Sequence, residues 1–270
     1  MNLAKINIGD VNIYYELKGH LESDETVVFL NGVMASTSSW NNQVPIFEND
    51  FKILLHDFKG QLRSDKPVGP YTFKEHAYDL KVLLDYLDIK KAHFIGTSYG
   101  GEVGMRFAID FPEFVKTLSI IDSVSELDEV LKGMVSNWKT LALKDPSDFF
   151  SGMVPTIYGN EFMKKNHQFL EVRAKGISTI KEDYFTGQIY LYDTFLNDVN
   201  MTDELNNIKC KTLVICGEND ILKPRKFSDI IVSKINQCEY ALIPNCGHVT
   251  IFEQPDVLNS LLLGFIVKNK

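Results

Sequence analysis

Residues 96–101 of this chain read Gly-Thr-Ser-Tyr-Gly-Gly, and what flanks them constrains the fold more than any other stretch. Residues 91–96 form a short apolar run rich in β-forming side chains, the pattern of a buried strand. Residues 102–110 carry apolar side chains at helical spacing. A strand that passes directly into a helix around Ser98 needs a sharp, strained turn, which lifts the serine hydroxyl clear of the end of a sheet. The positions two before and two after that serine lie against neighbouring backbone. Gly96 and Gly100 meet that need because they have no side chain to collide.

The rest of the chain alternates in the same way. Residues 5–8 and 11–17 predict an antiparallel hairpin, and 26–30 and 53–56 predict short apolar strands. An amphipathic helix over 72–87 places Phe73, Ala77, Leu80, Leu83 and Leu84 on one face. Further strands are expected at 116–121, 211–216 and 239–243, with helices near 225–235 and 255–267. Repeated strand–helix units imply an α/β fold: a mostly parallel, twisted sheet with helices on both faces and the hairpin at one edge. Residues 123–206 break the rhythm with helical patterns at 127–143, 148–154, 161–174 and 180–191 and no clear strand. The expected organisation is a core of 1–122 and 207–270, with 123–206 inserted before the last two strands as a helical lid.

Composition narrows the function. With 270 residues and 44% hydrophobic side chains the chain can bury a sizeable core. A net charge of −8 without a basic patch or arm argues against a nucleic-acid partner. The first ten residues lack the apolar core of a secretion signal, and no apolar run reaches the length of a membrane span. Cys210, Cys216, Cys238 and Cys246 have neither metal-ligand nor disulfide-framework spacing, the usage expected in a reducing cytoplasm. No HExxH motif or clustered Cys/His ligands point to a metal, and no glycine-rich dinucleotide loop follows the first strand, so no cofactor is expected.

A serine on such a turn is a nucleophile elbow, and a serine nucleophile needs a base and an orienting carboxylate. In this fold they follow in the order serine, acid, histidine. Past the strand at 211–216 comes Gly217-Glu218-Asn219-Asp220, which places Asp220 on the rim that carries Ser98; Glu218 and Asp122 are weaker competitors. The strand at 239–243 leads to Gly247-His248, making His248 the expected base, with His56 as its only rival. Cys246, two residues before that histidine, is expected to pack or to modulate the site. The oxyanion of an acyl-transfer reaction needs donors, expected from the backbone amides of Tyr99 and of Val33 in the Asn31-Gly32-Val33-Met34 loop.

In these residues the chain resembles the α/β-hydrolase superfamily over essentially its whole length, in particular the small lidded esterases, enol-lactonases and cofactor-free haloperoxidases. It carries Asn31-Gly32 where most relatives have His-Gly, and Asp57-Phe-Lys-Gly-Gln-Leu-Arg-Ser64 where most have Asp-x-Arg-Gly-x-Gly-x-Ser. The Asn-Gly loop and the Ser/Thr cluster after it are locally similar to hydroxyacyl transferases. The resemblance implies a serine hydrolase that cleaves an ester, thioester or lactone of a small acyl substrate through an acyl-enzyme. Acyl transfer, ligand reception on the same fold, and carbon–carbon cleavage are the alternatives. Asn31, Met34, Trp40, Trp138, Phe150 and Met153 are the expected substrate-binding residues. Lys59, Arg63 and Lys223, the nearby cations, are expected at the surface, which predicts an uncharged acyl group.

Overall fold

The computed structural model describes residues 2–144, 146–180 and 182–270; Met1, Asp145 and Lys181 lie outside the described residues, the latter two within the expected lid. The chain opens with an antiparallel hairpin of β1 (Asn2–Ile8) and β2 (Val11–Gly19), turned at Gly9 with a φ of +62°. Next come β3 (Thr26–Leu30), β4 (Lys52–His56) and α1 (Phe73–Tyr86). Helix α1 starts where Thr72 and Glu75 cap each other's backbone amides. The strand β5 (Ala92–Thr97) then passes into α2 (Tyr99–Asp110), and β6 (Val115–Ile121) follows.

Between β6 and β7 (Lys211–Gly217) the described residues form α3 (Glu129–Ala142), α4 (Pro146–Ile157), α5 (Asn160–Lys165), α6 (His167–Ser178) and α7 (Glu182–Asp198). The single helix expected over 161–174 is therefore two. Asn166 leaves helical geometry, and its side-chain amide donates to the Phe162 carbonyl at 3.0 Å, supplying a local partner that competes with helix continuation. The chain ends with α8 (Arg225–Lys234), β8 (Cys238–Ile243), α9 (Thr250–Glu253) and α10 (Pro255–Lys268).

The eight strands form one sheet in the order β1-β2-β4-β3-β5-β6-β7-β8. Only the β1–β2 and β2–β4 pairs are antiparallel, so the hairpin lies at the edge of an otherwise parallel sheet. Alternation within a strand divides the core. Val28 and Leu30 pack with α1, α2 and α8 on one face, while Val27 and Phe29 pack with Trp40, Phe47 and α10 on the other. All residues of β3 and β5 are buried, as strands covered on both faces must be. The carboxyl ends of β5, β6 and β7 therefore share one rim, where a parallel sheet places its site.

Candidate active site

Ser98 occupies the single position between β5 and α2, with a φ of +51° that a side chain rarely adopts. A Cβ on Gly100 would strike the carbonyl oxygens of Leu30 and Asn31, and one on Gly96 would strike the carbonyl of Gly100. The turn is this tight because three backbone segments meet there. The Ser98 amide donates to the Ile121 carbonyl at 2.8 Å, which fixes the turn to the neighbouring strand.

Asp220 and His248 come from the loops after β7 and β8. His248 Nδ1 lies 2.7 Å from Asp220 Oδ2, and His248 Nε2 lies 3.0 Å from Ser98 Oγ. The second carboxylate oxygen of Asp220 accepts from the amides of Leu222 and Lys223 at 2.9 and 2.8 Å. The residues at 98, 220 and 248 thus form one hydrogen-bonded chain. Burial alone pushes the His248 imidazolium toward losing its proton. The charge and hydrogen bond of Asp220, helped by Asp122, prevail and raise its pKa above the ordinary 6.5.

The competing carboxylates are engaged with other partners. Asp122, with a φ of +48°, spends its carboxylate on the Gly217 amide at 2.8 Å and on the Thr250 hydroxyl. Burial, then the charge of Asp220, raises its pKa. Glu218 accepts from the Asn245 amide. His56 is buried with neither ring nitrogen hydrogen-bonded, and burial pushes its pKa down to about 3. Cys246 is buried with its sulfur 3.5 Å from the Thr250 hydroxyl, and burial pushes its thiol pKa up, away from the thiolate.

The loop after β3 is braced by side chains. Gln61 Nε2 donates to the Gly32 carbonyl at 2.8 Å, and its Oε1 accepts from the amide of Phe58 and the side chain of Asn31. Val33 and Tyr99 both line a small cavity beside Ser98. Tyr99 is the first residue of α2, where the amides have no partner within the helix.

A larger apolar pocket also borders Ser98 and shares Val33 and Trp138 with the small cavity. Met34, Trp138, Phe150 and Met153 line it together with His248, Ile157 and Phe252. Asn31 and Trp40, expected to bind substrate, do not line it. Both are fully buried: Trp40 packs on Phe29 and donates its indole N–H to Asn31 Oδ1 at 2.8 Å. The Asn31 amide in turn donates to the His56 carbonyl, Asp57 and Gln61. This network ties the ends of β3 and β4 together and leaves no polar atom for a ligand.

The expected surface placement of the cations is corrected at two positions of three. Lys223 is buried, with its Nζ 3.2 Å from Ser98 Oγ and 2.9 Å from Glu102 Oε1. Lys59 is also buried, 3.1 Å from Asp79, while Arg63 is half exposed and pairs with Glu16. A further cation, Arg173 of α6, lines the apolar pocket. Its guanidinium lies 5.7 Å from the Phe169 ring and 5.2 Å from the Phe252 ring, and its buried Nε has no hydrogen-bond partner. Among the described residues no carboxylate pairs with it. Sequence held one signal for it: Arg173 is the only arginine between 123 and 206. Glu253 was equally hidden. Its carboxylate accepts from the amides of Gly159, Gly247 and Val249, which joins the histidine loop to the helical insertion. The His248 amide makes a second such link, to the Ile157 carbonyl at 2.8 Å.

Comparison with known proteins agrees with this architecture. The family model described as alpha/beta hydrolase fold matches residues 25–255. A protein of Azorhizobium caulinodans named carbamate hydrolase RutD is 26% identical over 261 residues, covering 95% of this chain and 96% of that one. The 2-hydroxy-6-oxononadienedioate/2-hydroxy-6-oxononatrienedioate hydrolase 1 of Pseudomonas putida is 27% identical, covering 95% of this chain and 92% of its own. Among solved structures, the alpha/beta hydrolase enzyme MGS-M2 from a Medee basin deep-sea metagenome library superposes with a TM-score of 0.94 at 28% identity, covering 99% and 98% of the two chains. The enol-lactonase of Burkholderia xenovorans shares the fold with a TM-score of 0.86 at 19% identity, over 98% of this chain and 100% of its own. With a family model that matches residues 25–255, most of its length, the chain belongs to the alpha/beta hydrolase fold family.

Proposed function

We propose that this protein is a serine hydrolase that cleaves an ester, thioester or lactone of a small acyl group through an acyl-enzyme on Ser98. The carrying observation is the hydrogen-bonded chain from Ser98 through His248 to Asp220, open to an apolar pocket. His248 Nε2 takes the serine proton as Oγ attacks the carbonyl, then returns it to the leaving group. Asp220 holds the imidazole with Nε2 toward the serine and stabilises the imidazolium. The amides of Val33 and Tyr99 receive the oxyanion. Water, deprotonated by His248, releases the acid. Helices α3–α7 act as the lid of the acyl pocket.

The pocket holds about 90 Å³ of free space, less than the ~150 Å³ of a cavity that takes up benzene. This favours short acyl chains. On p-nitrophenyl esters kcat/KM is expected to climb about fourfold per added methylene, from about 0.8 kcal/mol of burial each, and then to stop abruptly. Mass spectrometry should find the acyl group, or a fluorophosphonate, on Ser98. A Ser98→Ala protein that retains turnover or is still labelled would overturn the assignment.

Arg173 favours a second reading of the substrate. An arginine in an apolar pocket with no carboxylate partner suits an acyl group that ends in an anion, in place of the uncharged group read from sequence. The Pseudomonas putida relative is named for the hydrolysis of dioates. On this reading the scissile bond lies next to a ketone or an ester carbonyl, and the far carboxylate meets Arg173. A panel that compares neutral esters, ω-carboxy esters and vinylogous keto acids separates the two.

A further inference from the structure

Lys223 lines the small cavity beside Ser98 together with Val33 and Tyr99, and its ion pair with Glu102 is one that the proposed mechanism does not use. Lys223 follows Asp220 by three residues and is 3% exposed, while Glu102 of α2 is fully buried. The ammonium has three protons and three partners. Ser98 Oγ lies at 3.2 Å, Glu102 Oε1 at 2.9 Å, and the Phe195 ring centroid at 4.7 Å. These three directions fix Nζ in place. Glu102 Oε1 also accepts from the Val124 amide at 2.9 Å, so the counter-ion is itself anchored to the loop after β6. Its other oxygen is buried without a partner.

Stability does not account for such a pair. Desolvating two charges offsets most of their attraction, and apolar replacements of similar volume are often as stable or more so. Placement gives a better account. Among the described residues Ser98 Oγ has two hydrogen-bond partners, His248 Nε2 at 3.0 Å and Lys223 Nζ at 3.2 Å. Nε2 is suited to receive the hydroxyl proton, while the ammonium can only donate.

We propose that Lys223 is a catalytic residue of this site, an ammonium that stabilises negative charge on Ser98 Oγ, and that Glu102 is its positioning counter-ion. The inference rests on the reading of Ser98 as nucleophile. In acylation the Oγ–carbon bond forms, the carbonyl electron pair moves onto its oxygen, and the serine proton passes to Nε2. Lys223 stabilises the charge that builds on Oγ before the bond is complete. In deacylation water adds, the carbon–Oγ bond breaks and its electron pair returns to Oγ, which takes the proton back from His248. The same ammonium then stabilises the departing alkoxide. Lys223 keeps all three protons throughout.

The pair also sets the electrostatics of the base. His248 faces the carboxyl groups of Asp220, Asp122, Glu102 and Glu253 and the ammonium of Lys223. Removing the cation should move the acidic limb of the pH–rate profile to higher pH. Removing Glu102 should move it to lower pH. A residue that only filled space would give neither shift, and no pair of opposite sign.

The test measures the rate of Ser98 labelling by a fluorophosphonate, with kcat, KM and pH profiles on a p-nitrophenyl ester. The proteins are wild type, Lys223→Met, Glu102→Gln and the double variant, which keeps an uncharged pair of similar volume if the single lysine change does not fold. Lys223→Met and the double variant should lose roughly 10- to 100-fold in labelling rate and kcat, the worth of one charge-assisted hydrogen bond, with KM little changed. The two single variants should shift the acidic limb in opposite directions. Wild-type labelling rates in a folded protein that lacks Lys223, or coincident pH limbs, would overturn the inference while Ser98 remained the nucleophile. Failure of wild type to be labelled on Ser98 would instead overturn the underlying reading.

Discussion

Asp220 binds His248 with one carboxylate oxygen, at 2.7 Å, while its other oxygen accepts two backbone amides of its own loop. The carboxylate is thus oriented before it meets the imidazole, and it sets which ring nitrogen faces Ser98. Asp220→Asn keeps the shape but loses this control, so kcat should fall by roughly 10³- to 10⁴-fold, as in the serine-protease precedent. Glu218→Gln should stay close to wild type, since Glu218 serves only the exposed amide of Asn245. Steady-state kinetics on one ester decide; the reverse pattern would mean that the acid was assigned to the wrong residue.

The pH dependence follows from the same bond. The proposed mechanism needs neutral His248, whose pKa lies above the ordinary 6.5 because the charges that face it outweigh its burial. Activity should therefore be low at acid pH and rise to a plateau through an apparent pKa above 6.5. Asp122→Asn removes one of those charges and should move the limb to lower pH. A profile of kcat/KM against pH for the two proteins checks both statements.

Arg173 supplies a prediction about specificity. Arg173→Met keeps the length and the contact with Phe169 and Phe252 but removes the charge. Turnover of an ω-carboxy ester should drop roughly 10- to 100-fold in kcat/KM, in the range of a hydrogen bond to a charged group. Turnover of the neutral ester of equal length should hold or rise. Equal losses on both substrates would show that Arg173 serves packing alone.

Gly100→Ala tests the elbow as architecture. The added methyl would meet the carbonyls of Leu30 and Asn31, which are backbone atoms of a buried strand end and cannot rotate away. The expected cost exceeds about 3 kcal/mol, at the upper end for overpacking, and should appear as a large fall in Tm. Gly133→Ala, on an open helix face with nothing near its Cβ, is the control and should hold or raise Tm.

Local pattern alone was enough to place the strands, the elbow, and the order Ser98, Asp220, His248. A buried parallel strand, a strained Gly-x-Ser-x-Gly turn and a Gly-His loop are each written within a few adjacent residues, and sheet topology then brings their ends to one rim. The helical insertion was legible as helices, though not its break at Asn166, which depends on one side-chain hydrogen bond. Tertiary structure alone decided which side chains face the serine. Lys59 and Lys223 read as ordinary surface cations, and nothing in the local sequence aims Arg173 inward, because long side chains can reach inward or outward from the same backbone, and only the packed neighbours choose. Asn31 and Trp40 read as pocket residues because Asn31 lies in the loop expected to hold the oxyanion and Trp40 follows that loop in sequence. The structure turns them into the core, where each satisfies the other's polar atom. Sequence therefore determined where Ser98, Asp220 and His248 sit at their strand ends, which is set by local backbone, and the fold decided the charge environment around them, which is set by contacts between residues as distant as 102 and 223.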